Sequence, residues 1–338
     1  MKLRLAFMGF RHGHILSLLS SAKQRDDVEI VAACEEHEET RRKLTADGKV
    51  TFTHALYDEL LDAADCDVVA IGDYYGRRGE LAIKALQRGK HVIADKPLCT
   101  RLAELDAIES ISRQKNLKVG LMLDMRDASL MPTMKQAIAN GDIGDVHAIG
   151  FGGQHPLMYG TRPGWYFEPG KHGGTLTDIA IHAVNFIPWM TGLKLKTVNS
   201  ARNWNARLKD VPHFKDAGQV MLTLDNGCGV LGDVSYFLPD SFGYTHPLYW
   251  RVTVWGSKGV MEGSVSTPVT LYKDGEKTPR TLSSLSGRSG GYLADFIADI
   301  RGAVQTGQLD TAEVIRSSRH VLQIQAAADE QKTNVALA

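Results

Sequence analysis

The chain has 338 residues, 43% of them hydrophobic, more than one core usually organises, which suggests two domains. Lysines plus arginines equal aspartates plus glutamates, 39 of each, so charge gives no reason to expect nucleic acid or an anionic membrane as partner, and a small-molecule ligand becomes the default. Cys34, Cys66, Cys99 and Cys228 are scattered without a CxxC pair, and no histidines stand at finger-like spacing. No disulfide framework or metal site is expected, a reducing cytoplasm fits, and no run approaches the roughly eighteen apolar residues of a membrane span.

Residues 2–8 form an apolar-rich run that stops at Gly9-Phe10-Arg11-His12-Gly13-His14, an interruption that argues for a first strand rather than a secretory leader. Ile15, Leu16, Leu18 and Leu19 then recur at helical spacing, giving strand, glycine turn, helix. Residues 28–34 read as a second strand ending at Glu35, followed by a charged helix over 38–46. In a dinucleotide-binding fold the first turn sets pyrophosphate on a helix N-terminus, and an acid about 20 residues later accepts from the ribose hydroxyls. Glu35 lies 22 residues after Gly13. A carboxylate there opposes the extra phosphate of NADP, so NAD is the expected cofactor.

Taken alone the glycine motif is weak: counting from Gly9, Arg11 and His14 stand at the second and third glycine positions of GxGxxG. Repetition strengthens it. Residues 67–71 give a strand, Leu81, Ala82, Ala85 and Leu86 a helix closed by Gly89, and Val92, Ile93 and Ala94 a short strand that runs into Asp95-Lys96-Pro97. Pro97 cannot donate to a ladder, so Lys96 sits where a sheet stops, at the carboxyl ends where ligands bind in open α/β sheets. The bland alternative is a solvated loop lysine. A helix closing at residues 110–114 and a strand over 118–123 complete a parallel α/β domain over residues 1–123.

After Arg126 the texture changes, and residues 124–338 read as an α+β domain. A helix over 131–139 and an extended stretch from Val146 lead into a glycine-dense loop, 150–174, that carries Trp165, Tyr166, Lys171 and His172. A helix from Gly174 then holds Asp178 and His182 four residues apart, on one face, with Asn185 at the next turn. A plain helical ion pair or a satisfied core histidine would look the same. Strands over 198–202, 219–224, 229–237, 249–255, 259–264 and 268–272 suggest a large, mostly antiparallel, open-faced sheet, and helices over 292–304 and 311 to about 331 finish the chain.

The glycine turn, the stretch Ala85 to Pro97, Gly141-Asp-Ile-Gly-Asp145 and Gly173-Gly-Thr-Leu-Thr-Asp-Ile-Ala-Ile-His182, in that order, resemble the Gfo/Idh/MocA family of nicotinamide-dependent sugar and polyol oxidoreductases. The resemblance spans nearly the whole chain. It implies an N-terminal Rossmann domain whose cofactor cleft is formed by Gly9, Phe10, Arg11, His12, Gly13, His14, Glu35, Asp73, Tyr74, Tyr75, Arg78, Asp95, Lys96 and Pro97. The family's catalytic lysine, aspartate and histidine map to Lys96, Asp178 and His182, and Arg126, Trp165, Lys171, His172 and Asn185 fall where substrate would bind. Several positions depart from the family pattern. Asp95 replaces the usual glutamate before Lys-Pro, Asp73-Tyr74-Tyr75 replaces Thr-Pro-Asn, Arg78 replaces a histidine, Ala180 a glycine and Asn185 an aspartate. Arg126 points into the cleft or packs between domains.

The implied reaction is hydride transfer between NAD and a carbinol carbon of a sugar, polyol or derivative. His182 would be the base, Asp178 would orient it, and Lys96 would stabilise the reacting oxygen. An NAD-dependent glycosidase acting by transient oxidation, or a non-catalytic dinucleotide- or sugar-sensing regulator, are the alternatives; retention of Lys96, Asp178 and His182 argues against the regulator. Relatives commonly form dimers or tetramers through the second-domain sheet, so a homo-oligomer is expected.

Overall fold

Short apolar runs bounded by glycine build the first sheet. The computed structural model describes residues 2–337, and its chain divides into two units. In the first, β1 (Leu3–Met8), α1 (His14–Lys23), β2 (Val28–Cys34), α2 (Glu38–Ala46), α3 (Tyr57–Ala63), β3 (Val68–Ile71), α4 (Tyr75–Gln87), β4 (His91–Ala94), α5 (Leu102–Lys115) and β5 (Val119–Leu121) follow one another. The strands lie in the order β2-β1-β3-β4-β5, and every adjacent pair is parallel. All residues of β3 and β5 are buried, as expected for parallel strands covered on both faces, which is why these runs show no alternation. The order reverses direction at β1, so the turns after β1 and β3 flank a topological switch point. They touch there: Gly9 has φ +86°, and a Cβ on it would stand 2.7 Å from the Asp73 backbone nitrogen.

The second unit opens with α6 (Leu130–Ala139) and β6 (Val146–Pro156). The helix expected from Gly174 instead begins as a π-helical turn, Leu176–Ala180, and continues as α7 (Ile181–Thr191). Then come β7 (Leu195–Trp204), β8 (Ala217–Leu224), β9 (Gly229–Leu238), β10 (Trp250–Gly256), β11 (Gly259–Ser264), β12 (Thr267–Lys273) and β13 (Arg280–Thr281). α8 (Gly291–Ile300), α9 (Thr311–Asp329) and β14 (Val335–Ala336) close the chain. Among the described residues the sheet has nine strands, ordered β13-β12-β11-β10-β6-β9-β8-β7-β14, antiparallel except where β6 runs parallel to β9. The short edge strands β13 and β14, and α3 in the first unit, had no counterpart in the sequence reading.

Alternation fixes the two faces of this sheet. Val220, Leu222 and Leu224 are buried, whereas Gln219 and Met221, on either side of Val220, are exposed. The inner face packs on α6 and on the π turn. The outer face carries Met221, Leu231, Trp255 and Tyr272, with Leu231 64% exposed. No helix among the described residues is long and apolar enough to cross a membrane.

The division between units is discontinuous. The first takes the residues up to Met122 together with Pro163–Gly173 and Gly290–Ser318; the second takes Leu123–Arg162, Gly174–Ser289 and the segment from Arg319 onward. Both inserted segments fall after residue 123, within the stretch expected from sequence to form the second domain. Their side chains explain the difference: Trp165 and Tyr166 pack on Tyr75, and Phe296 of α8 lies on β5. A Cβ on Gly120 would come within 2.7 Å of the Phe296 ring and 3.1 Å of Ile93. We expect Gly120→Ala to destabilise the fold by about 1–3 kcal/mol through overpacking, read as a lower urea midpoint at unchanged slope.

Candidate active site

In the first unit the end of β4 is gripped by a buried arginine. Arg78, one turn into α4, donates from Nε to the Asp73 carbonyl at 2.7 Å and from Nη1 to the carbonyls of Asp95, Lys96 and Pro97 at 2.8, 2.6 and 3.2 Å. Its Nη2 reaches Asp95 Oδ2 at 3.0 Å. One guanidinium thus fixes the backbone on both sides of Lys96, which is itself buried.

A hydrogen-bonded row continues from Asp95 into the turn after β1. Asp95 Oδ2 pairs with His12 Nδ1, the Tyr75 hydroxyl lies 3.3 Å from His12 Nε2, and the Tyr166 hydroxyl lies 2.8 Å from that of Tyr75. Burial pushes His12 down to about 3 despite the pull of Asp95, so its imidazole is neutral. Burial opposes the charge on Asp95 too, but Arg78 and His12 hold its carboxyl well below the usual carboxylate range. The segment Pro163–Gly173 covers this row. Trp165 Nε1 donates to the Arg11 carbonyl at 3.0 Å, the Lys171 carbonyl accepts from Gly76 N at 2.8 Å, and the His172 ring lies 5.5 Å from that of Tyr75. Trp165, read as a substrate contact, is buried and committed to this packing.

The turn suits an anionic ligand. Gly13 caps α1 without a side-chain hydrogen bond, no acid stands in the first helical turn, and a Cβ on Gly13 would meet open space. Arg11 and Lys171 lie 5.9 and 5.1 Å from the Tyr74 ring centroid. Asp73 accepts from Tyr57 Oη at 3.0 Å and from Tyr74 N at 2.7 Å. Glu35 stands at the end of β2, where the spacing put it, but it is only 1% exposed and its oxygens accept from Phe10 N at 2.5 Å and His37 N at 2.7 Å. Sequence spacing could not reveal that two backbone amides hold this carboxylate. A ribose contact requires one of those bonds to be exchanged.

In the second unit the candidate residues from the sequence lie on the π turn and α7. Asp178, His182 and Asn185 are all buried. Asp178 lies within the π turn, whose i→i+5 bonding widens the helix locally, and His182 lies in the first turn of α7. Asp178 Oδ2 accepts from the Tyr236 hydroxyl, while His182 Nδ1 lies 4.0 Å from Asp124 Oδ1 and its ring meets Trp250 edge to face at 5.7 Å. Tyr236 lies between the Arg162 guanidinium, 5.3 Å from its ring, and Phe214. Arg126 is buried over the indole of Trp189 at 4.9 Å. Sequence reasoning passed over Tyr236, Asp124 and Trp250. Tyr236 and Trp250 were legible only as inward positions on strands, and Asp124 as a turn residue.

Residues 4–122 match the family described as oxidoreductase family, NAD-binding Rossmann fold, and residues 131–262 match the GFO/IDH/MocA C-terminal domain. The chain belongs to the Gfo/Idh/MocA oxidoreductase family. It is 23% identical over 263 residues to the myo-inositol 2-dehydrogenase of Thermotoga maritima, covering 77% of this chain and 76% of that one. Several other curated relatives align over only 35% to 56% of their own length. Among solved structures, a putative oxidoreductase from Erwinia carotovora atroseptica superposes with a TM-score of 0.85 at 25% identity, covering 97% of this chain and 99% of that one. An inositol dehydrogenase homolog complexed with NAD+ from Azotobacter vinelandii superposes at 0.80 and 17% identity, covering 99% and 97%. In this Gfo/Idh/MocA member the uncapped helix end and the glycine turn fit the family's NAD, and its reaction class is oxidoreduction.

Two outcomes follow from the buried charges. Arg78→Met leaves Asp95 ionised without its cation and should cost about 3–5 kcal/mol of stability, measured by urea unfolding. Glu35 is pushed up to about 7 by burial, against 4.5 for an ordinary glutamate, with its two amide bonds opposing the rise. A carboxyl that binds its proton more tightly when folded stabilises the fold below the unfolded value, and that contribution is lost as pH rises through the folded one. Between pH 4.5 and 7 the parent chain should therefore lose stability relative to Glu35→Gln, which a series of urea midpoints across that window would register.

Proposed function

We propose that this Gfo/Idh/MocA member catalyses reversible hydride transfer between NAD and a carbinol carbon of a sugar, polyol or derivative. The observation that carries the reading is the Arg78 clamp, which holds Lys96 at the carboxyl end of a parallel strand in a unit built around a dinucleotide turn. Relatives named myo-inositol 2-dehydrogenase, levoglucosan dehydrogenase and 1,5-anhydro-D-fructose reductase support a carbohydrate or polyol substrate.

Bound NAD supplies the hydride acceptor. In oxidation, His182 takes the hydroxyl proton, its unperturbed range lying near neutrality. Asp178, fixed by Tyr236, is a positioning residue for that base, and Asp124 presents a second carboxylate toward His182 Nδ1. The Lys96 ammonium stabilises the charge that grows on the reacting oxygen, and in the reverse direction it polarises the carbonyl. Glu35, at the end of β2, selects NAD over NADP.

Lys96→Ala and His182→Ala should each lower turnover by about 10²–10⁴, while NAD affinity, measured by calorimetry, stays within a few-fold. Turnover close to that of the parent in His182→Ala, on a substrate that yields stoichiometric NADH, would remove histidine from the role of base. The exposed outer face of the second-unit sheet, with Leu231 and Met221 paired across β9 and β8, is the surface through which we infer that copies associate. Light scattering at micromolar concentration should give a mass of two or four chains. Leu231→Glu should shift it toward one.

A further inference from the structure

Three donor groups that commonly ligate metals meet beside the turn after β1. His12 and His14 flank Gly13, and Asp95 arrives from the end of β4, 83 residues further along the chain. One ligand atom from each lies within 4.8 Å of the other two. His14 Nδ1 and Asp95 Oδ1 are 3.5 Å apart, close to the separation of roughly 3.3 Å between neighbouring donors on a tetrahedral ion with bonds of about 2.0–2.2 Å.

The surroundings of the trio are those of a built site. Asp95 is fully buried, and its Oδ1 makes no hydrogen bond, because Arg78 and His12 both take Oδ2. That oxygen and His14 Nδ1 stand 3.5 Å apart, too far for a good hydrogen bond, and an ion between them would engage both. The second nitrogen of His12 faces the Tyr75 hydroxyl at 3.3 Å, the kind of outer partner that fixes which nitrogen of a ligating histidine stays free. The side chain of His14 is 50% exposed, which gives an ion a way in and leaves a fourth position for water.

We propose that His12, His14 and Asp95 bind one divalent transition-metal ion, and that the ion and the dinucleotide exclude one another from this turn. Two imidazoles and one carboxylate suit Zn2+, Co2+, Ni2+ or Cu2+, and suit poorly the all-oxygen preference of Mg2+ or Ca2+. The guanidinium of Arg78 on the same carboxylate opposes a dication. Occupancy is therefore reversible and set by free metal, and the metal acts as an inhibitor. The exclusion half rests on the cofactor reading above, whereas the binding half does not.

The test uses the full chain, free of any histidine tag, titrated with CoCl2 while the visible ligand-field absorption is followed, and with ZnCl2 by calorimetry. One ion per chain is expected, with affinity reduced at least about tenfold in His14→Ala, since losing even an outer partner commonly costs that much. His14 is a surface residue, so this variant keeps its fold; Asp95→Asn removes the second ligand and should abolish the visible bands. Absence of saturable binding, or binding unchanged in His14→Ala, overturns the site. NAD should raise the metal concentration needed for half saturation. If it does not, an NAD titration of the metal-free chain separates the causes: NAD that binds without displacing the metal overturns exclusion, and NAD that fails to bind overturns the cofactor reading instead.

Discussion

The buried guanidinium of Arg78 is the constraint on which the first unit depends. Backbone carbonyls at the end of a strand have no ladder partner, and burying them unpaired costs as much as a lost hydrogen bond. Here a single cation takes four carbonyls and one carboxylate, so the strand end, the lysine after it and the turn after β3 share one fixed geometry. A flexible lysine in a loop would lose rotamer freedom each time it engaged a substrate. A buried one on a clamped backbone has met that cost in folding, which is the physical meaning of preorganisation.

Local pattern carried the elements well and the environments poorly. β2 and α2 came through because apolar runs and charged helical spacing are local properties, and the Gly9 turn because close approach of two backbones demands glycine. Asp95 and Lys96 were identifiable from Pro97 and the end of an apolar run. What holds them was not: Arg78 stood out only as a departure from a family pattern, and nothing in its neighbours shows that it is wholly buried. Glu35 illustrates the same limit. Its position follows from chain spacing, whereas its partners, Phe10 N and His37 N, depend on how two turns meet in space.

The π turn marks a second kind of illegibility. Gly174 to Phe186 has the apolar periodicity of an ordinary helix, and the switch to i→i+5 bonding leaves no trace in composition. Asp178 lies in that turn, and one of its oxygens accepts from the Tyr236 hydroxyl on β9. Residues on alternating strands are predictable as inward or outward, so the buried flank of the nine-stranded sheet could be drawn in advance. Which inward side chain reaches a given helix depends on strand order, and the parallel pairing of β6 with β9 is a non-local choice that alternation does not encode.

The interrupted course of the chain through its first unit bears on synthesis. Five parallel strands are complete once residue 121 has left the ribosome, but the aromatic cover over Tyr75 belongs to residues 163–173 and the α8 flank of β5 to residues 290–300. At about 5–20 residues per second, a nascent chain waits roughly ten to forty seconds between finishing that sheet and receiving Phe296. During that interval Gly120 and its neighbours offer an uncovered apolar strand to whatever is near. The first unit is therefore complete only once residues from both later segments, 163–173 and 290–318, have been made.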